Sequence, residues 1–328
     1  MSDDREIILS LKDVVSEYTQ SGDVIHAVNG VSLKLRKGST LGLVGETGAG
    51  KTTIAKTIMR ILPDPGGRMV SGSIEMDGTE LTELPEDRMR EYRGDRIAMI
   101  FQDPMTALNP LMTVGDQIME IIQIHDRSIK HEDAEKHAKE MLELVGIPVE
   151  RSVEYPHQFS GGMKQRVVIA MALACKPEII LADEPTTALD VTIQAQVLDL
   201  IKELRDKYQT SMILITHDLG VVAETCEDVA VIYAGEIIES GTKRDIFKNP
   251  SHPYTIGLFG SLPDINNKSA RLKPIPGMPP DPANLPEGCK FHERCPRAAE
   301  ECAHIKVDLK EIEPGHFCRC IRPGKEEE

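Results

Sequence analysis

The sequence predicts an α/β protein, and three observations carry that reading. The runs TLGLV, KPEIILAD and MILITHD are continuously apolar, as strands of a buried parallel sheet are. Segments with helical spacing follow the first two: TTIAKTIMRIL and IQAQVLDLIKELRDKY. A glycine-rich turn, GETGAGKT, joins TLGLV to its helix.

Taken in order, residues 6 to 43 read as short strands, EIILSLKDVV and VSLKLRKGSTLGLVG, broken by the polar turn TQSGD. GSIEMDGTEL reads as a hairpin with an Asp-Gly turn. Residues 105 to 158 are mainly helical, with apolar residues three or four apart in VGDQIMEIIQIHD and HAKEMLELVGI. DVAVIYAGEIIESG reads as a second hairpin. After Gly241 proline becomes frequent and periodicity fades, so a domain boundary is expected near 240 to 260. No internal repeat is evident.

At 328 residues there is ample chain for one large domain and a smaller one. The formal net charge of −15 argues against a nucleic-acid backbone as partner, because phosphate contacts call for an excess of Lys and Arg. The start, MSDDREIILS, lacks a basic region and a long apolar run, so no signal peptide is expected. No run reaches the ~18 apolar residues of a spanning helix. A cytosolic chain with any membrane role peripheral is therefore expected.

Gly45-Glu46-Thr47-Gly48-Ala49-Gly50-Lys51-Thr52 matches G-x-x-x-x-G-K-[ST] in full. Glycines let backbone N–H groups curl around phosphates, and the following helix presents its positive end. Lys51 is expected to reach the β- and γ-phosphates, and the Thr52 hydroxyl to ligate Mg²⁺. This P-loop predicts a bound nucleoside triphosphate, with Thr53 beside it in the first turn of the helix. Downstream, Ile179-Ile-Leu-Ala-Asp183-Glu184 sets two acids at the carboxyl end of a strand, where α/β sheets place ligands. Asp183 suits the Mg²⁺ shell, and Glu184 suits polarisation of the attacking water.

Phe159-Ser160-Gly161-Gly162-Met163-Lys164-Gln165 precedes Asp183 by just over 20 residues. Here the chain resembles the ATP-binding cassette (ABC) family, with Phe159 and Met163 in place of the usual Leu and Gln of the signature. The resemblance implies that Ser160, Gly161 and Gly162 face ATP held by another subunit. It also implies that Gln102, in IFQDP, senses Mg²⁺, and that Ala188-Leu189-Asp190 crosses a dimer interface. His217, about 33 residues after Glu184, is implied as the switch histidine, and Tyr18, after DVVSEY, as the aromatic stacked on adenine. The implied catalytic set is Lys51, Glu184 and His217. The implied fold is a P-loop NTPase core with an antiparallel β subdomain, a helical subdomain over about 103–165, and a small Cys/Pro-rich C-terminal extension. Residues 1–250 would form the nucleotide-binding domain and 251–328 the extension.

The segments NPSHPYTIGLFGSLPDI and GCKFHERCP resemble the C-terminal extension of dipeptide/oligopeptide permease ATP-binding subunits. The resemblance implies ATP-driven closure of two such domains, identical or homologous, acting on two transmembrane permease subunits. The chain would sit at the cytoplasmic face of the membrane, and an extracytoplasmic solute-binding protein would be an indirect partner. A nickel or other small-solute importer, and a soluble non-transport ABC ATPase, are the alternatives.

Five of seven cysteines lie in the last 40 residues. Cys289, Cys295, Cys302 and a fourth thiol are enough for a [4Fe–4S] cluster or a tetrahedral Zn²⁺ site, and the spacing alone does not name the metal. Some members of the resembled group carry a cluster there. The resemblance implies, through the group's GHxxxC pattern, Cys320 as fourth ligand, with Cys318 as the alternative and His292 and His316 as substitutes at a zinc site. Cys175 and Cys226 fit buried packing positions.

Overall fold

The alternation of IILSLKDVVSEYTQ makes a long strand, and most of the sequence elements named above form where their patterns place them. The structure, a computed structural model, describes residues 5–20, 22–187, 189–261 and 274–324. Ala188 and the last part of NPSHPYTIGLFGSLPDI, residues 262–265, lie outside the described residues.

Along the chain run β1 (Ile7–Gln20), β2 (Asp23–Arg36), β3 (Thr40–Val44), α1 (Lys51–Ile58), β4 (Gly67–Met76), β5 (Thr79–Glu80), α2 (Glu86–Asp95) and β6 (Ile97–Ile100). Helices α3 (Pro104–Ala107), α4 (Val114–His125), α5 (His131–Leu144) and α6 (Gly161–Leu173) lead to β7 (Ile179–Asp183). Then come α7 (Val191–Tyr208), β8 (Ser211–Thr216), α8 (Leu219–Thr225), β9 (Asp228–Tyr233) and β10 (Glu236–Thr242). The chain closes with α9 (Lys243–Lys248), α10 (Pro253–Gly260), β11 (Lys310–Glu313) and β12 (His316–Cys318).

Two compact units result. One comprises Met1–Ile8, Leu35–Thr40 and Glu83–Ile215; the other comprises Leu9–Lys34, Leu41–Thr82 and Thr216–Glu328.

In the first unit β7 pairs in parallel with β6 on one side and β8 on the other, from Ile97↔Ile179 to Asp183↔Ile215. Every residue of the three strands is buried. That burial is why these strands read as unbroken apolar runs. Helices α4 to α6 turn Ile118, Leu142 and Val167 inward. Side-chain oxygens of Thr113 and Asp190 accept from the backbone N–H groups of Asp116 and Ile193, which fixes where α4 and α7 begin.

In the second unit an antiparallel sheet has the order β2-β1-β4-β5. The β4–β5 hairpin turns at Asp77 (φ 49°) and Gly78 (φ 75°), the two left-handed residues of a tight hairpin turn. Strand β3 pairs in parallel with β9, β9 returns antiparallel as β10, and β12 adds to the far edge of β10 with β11 beside it. The last two strands have no counterpart in the sequence reading. KEIE and HFC are too short for a period-2 signal, and they pair because β10 presents an edge to them. Tyr233, Tyr254 and Phe291, all nearly fully buried, meet with ring centroids 4.7, 5.3 and 5.4 Å apart. Phe291 belongs to the C-terminal segment, so an aromatic cluster supplies the core which that proline-rich segment lacks by itself.

Candidate functional site

Strand β3 is buried throughout and delivers the chain to Gly45. A Cβ at Gly45 would collide with the Ile232 carbonyl, and one at Gly50 (φ 103°) with the Ala27 carbonyl, so both positions require glycine. Helix α1 begins at Lys51 with Gly50 as its N-cap and no side-chain cap, which leaves its first-turn N–H groups directed at the loop. Lys51 Nζ, buried, donates to the carbonyls of Gly45 (2.7 Å) and Glu46 (3.0 Å). Thr52 is half-buried, Thr47 and Gly48 are exposed, and Ala49 is buried. The half-buried Tyr18 donates its hydroxyl to Thr53 Oγ1 at 3.2 Å, tying β1 to the first turn of α1.

In the other unit Asp183 ends β7 and is only 2% exposed. Glu184 follows with φ 45°, a left-handed conformation that a non-glycine residue holds at a cost of order 1 kcal/mol. Its N–H donates to Ile215 O at 2.9 Å. Its carboxylate Oε2 accepts from Gln102 Nε2 (3.0 Å) and from Thr187 Oγ1 (2.8 Å). Gln102 and Glu184, distant in sequence, are thus brought together. Thr187 is a member of this group that the sequence reading missed; its signal was its place three residues after Glu184 in a turn.

Ser160 is the N-cap of α6, its Oγ accepting from Met163 N, and Ser160 and Gly161 are exposed. A Cβ on Gly162 would strike Ile193, so the signature's second glycine sets how closely α6 lies against α7. Phe159 is buried with the Arg151 guanidinium 4.4 Å from its ring centroid, a seat for the aromatic that replaces leucine. Asp190 caps α7. His217, exposed, lies in the second unit just after β8, beside Asp218, the cap of α8.

The cysteines divide. Cys289, Cys295, Cys302 and Cys320 line one cavity of about 20 Å³ together with His292 and Phe291. Cys318 is 1% exposed and does not line it, so the geometry sets Cys320 rather than Cys318 with the other three. All seven cysteines are free thiols. Burial pushes Cys289 up to about 11, and it also raises Cys295 and Cys320. Cys289, Cys295, Cys302 and Cys320 are the four thiols expected to hold a metal group. Among the described residues no three His, Cys, Asp or Glu side chains are grouped closely enough to hold a metal ion. His316 is also reassigned from substitute ligand: its Nε2 bonds Glu239 Oε1 at 2.8 Å, both side chains fully buried. His292 Nδ1 donates to the Cys289 carbonyl. Cys226 is buried and Cys175 half-buried, with Cys175 pushed up to about 11 chiefly by burial.

The family described as "ABC transporter" matches residues 28–187, and "Oligopeptide/dipeptide transporter, C-terminal region" matches 238–302. The dipeptide transport ATP-binding protein DppD of Bacillus subtilis is 51% identical over 317 residues, covering 96% of this chain and 94% of that protein. The oligopeptide transport ATP-binding protein OppD of Salmonella typhimurium is 46% identical, covering 98% and 95%. The chain belongs to the ATP-binding proteins of oligopeptide/dipeptide ABC transporters. A solved ABC cassette, a dimer in a post-hydrolysis state bound to ADP and Pi, is similar to this family member with TM-score 0.65 and 29% identity over 72% of this chain and 99% of that one. The P-loop ABC ATPase fold predicted from the sequence is therefore the fold observed. Among the described residues of this ATP-binding protein, no helix is long and apolar enough to cross a membrane.

Proposed function

We propose that this chain is the ATP-hydrolysing subunit of an importer of dipeptides or oligopeptides. The observation that carries the chemistry is the Glu184 carboxylate, set at the end of a buried parallel strand and held by Gln102 and Thr187. Similarity at 46–51% identity along nearly the whole chain, C-terminal region included, supports the peptide class.

In this reading the loop from Gly45 to Gly50 encloses the triphosphate, with Thr47, Gly48 and Gly50 presenting backbone N–H groups while the Glu46 N–H stays on the Tyr254 hydroxyl and the Ala49 N–H on the Glu46 carbonyl, and Lys51 turns from loop carbonyls to phosphate oxygens. Thr52, Asp183 and Gln102 are the residues that would hold Mg²⁺, which would neutralise phosphate charge when bound; a buried acid and a hydroxyl at a helix start have the oxygen chemistry for it. Glu184 takes the proton of the attacking water, and His217 supports the γ-phosphoryl group. Tyr18 stacks on adenine, with Thr53 fixing its hydroxyl. Ser160, Gly161 and Gly162 complete the site of a second ATPase subunit, identical or homologous, as Leu189 and Asp190 cross between the two. ATP-driven closure and reopening then moves two transmembrane permease subunits from the cytoplasmic face. Residues 1–250 make up this engine and 251–328 the peptide-permease extension.

Four thiols on one cavity, with no carboxylate on its wall, are a donor set suited to a soft metal group. Cys289, Cys295, Cys302 and Cys320 would hold a [4Fe–4S] cluster, or Zn²⁺ in the alternative, which would cross-link the C-terminal segment. Anaerobic purification with iron, sulfide and zinc analysis tests that part. Iron and sulfide in equal stoichiometric amounts are expected, and stoichiometric zinc without sulfide refutes the cluster. For the engine, Glu184→Gln keeps an acceptor for Gln102 and Thr187 but removes the base. Retained ATP with hydrolysis reduced by about 10²-fold or more is expected; hydrolysis at the normal rate would overturn the assignment of Glu184.

A further inference from the structure

Arg294 stands between Cys289 and Cys295, at the end of the single helical turn His292–Arg294, yet its side chain leaves the cysteines and enters the phosphate loop. Its Nη1 lies 2.9 Å from Glu46 Oε2 and its Nη2 3.1 Å from Glu46 Oε1, a two-pronged pair. Nε donates to Pro276 O (3.0 Å) and Nη1 also to the Tyr233 hydroxyl (3.2 Å). The guanidinium is 7% exposed and the Glu46 side chain 28%. Glu46 is held at its backbone as well: its N–H donates to the Tyr254 hydroxyl at 3.0 Å and its carbonyl accepts from Lys51 Nζ at 3.0 Å. The same C-terminal segment touches the loop's surroundings once more. Pro279, Pro280 and Pro282 share a cavity of about 30 Å³ with Thr47, Gly48 and Ala49, and His26 N donates to Pro282 O at 2.9 Å.

We infer that Arg294 is a positioning residue of the nucleotide site: it neutralises and orients Glu46, so that the phosphate loop carries no uncompensated negative charge toward the triphosphate. A carboxylate inside a loop that wraps several phosphate oxygens repels them, and in a partly dehydrated site that repulsion is weakly screened. A planar guanidinium bidentate to the carboxylate removes the repulsion and fixes the side chain in one place. The C-terminal segment is then part of the ATP site as well as a branch-specific addition, and the turn between two cysteines of the tetrad is the turn that carries this contact. The inference rests on residues 45–52 holding the phosphates.

The test uses the full-length chain, with steady-state ATP hydrolysis and equilibrium binding of a non-hydrolysable ATP analogue. Arg294→Met is expected to raise the ATP KM and the analogue Kd about fivefold, with the effect falling on binding more than on kcat. The double variant Glu46→Gln/Arg294→Met, which removes both charges, is expected to return to within about twofold of the original affinity. A purely structural role predicts the opposite, a double variant no better than Arg294→Met, and that result overturns the inference, as does unchanged binding in Arg294→Met. If Arg294→Met does not fold, Glu46→Gln alone decides: unchanged or tighter analogue binding supports the inference, and weaker binding overturns it. Lys51→Ala is measured alongside; if it binds ATP normally, the phosphate-loop reading itself fails, and the inference with it.

Discussion

His316 Nε2 and Glu239 Oε1 are 2.8 Å apart with both side chains fully buried, and the same carboxylate accepts from the N–H groups of Ser251 (2.7 Å) and His252 (2.8 Å). One carboxylate on β10 therefore fastens β12 and the start of α10 together.

Removing one partner of such a group leaves the others buried and unsatisfied, which costs more than the contact itself contributes. His316→Ala is expected to destabilise the chain by about 2–4 kcal/mol. Limited proteolysis should then cut residues 304–315 well before the strands of the parallel sheet. Glu239→Gln, which keeps acceptors for two of the three donors, is expected to cost less. Equal melting temperatures for His316→Ala and the unaltered chain would mean that the pair fastens nothing.

Thr187, three residues further along the chain, holds the proposed base with its hydroxyl 2.8 Å from Glu184 Oε2. Thr187→Val keeps the shape and deletes the donor. Losing one hydrogen bond to a charged group, worth about 1.5 kcal/mol, should lower the hydrolysis rate about tenfold while leaving ATP-analogue binding unchanged. Phosphate release and equilibrium binding measured on the same preparation separate the two effects. A parallel loss of binding would move Thr187 from base positioning to the loop's own stability.

The contrast between Thr187 and Gln102 shows what a sequence makes legible. Lys51, Asp183 and Glu184 stand where strand, glycine turn and helix chemistry put them, so local pattern reveals them. The contact of Gln102 with Glu184 depends on β6 pairing beside β7, which only long-range register creates. The parallel strands were readable because burial on both faces leaves no polar alternation. Strands β11 and β12 were not, because four and three residues carry no period and their pairing is dictated by the edge of β10. Arg294 was hidden for a further reason: its neighbours in sequence are cysteines, while its partner lies 248 residues away.

Gly162 meets Ile193 so closely that any Cβ would overlap it, which makes the signature glycine a packing residue in addition to its proposed role toward ATP. Gly162→Ala is expected to lower the melting temperature by overpacking α6 against α7, at a cost of about 1–3 kcal/mol. Ile193→Ala in the same chain should recover most of it by making room. If the double variant is less stable than Gly162→Ala alone, the glycine serves the backbone conformation and not the helix contact.

Glu236, half-buried where the hairpin leaves its turn, has its carboxyl raised above the ordinary value of 4.5, chiefly by burial and against the pull of Arg319, Lys290 and Lys306. The sign of its pH effect follows from linkage. Between the unfolded value and the raised folded value the native state binds more protons than the unfolded chain, so stability from this group falls as pH rises through that window. At neutral pH the ionised carboxylate is held in a place that disfavours its charge. Glu236→Gln is therefore expected to raise the melting temperature at pH 7 to 8, with the gain shrinking toward zero as the pH is lowered to about 4. Differential scanning calorimetry of the two proteins across that range checks it. A gain that is the same at every pH would assign the effect to packing, and a loss at neutral pH would show that the three nearby cations outweigh burial.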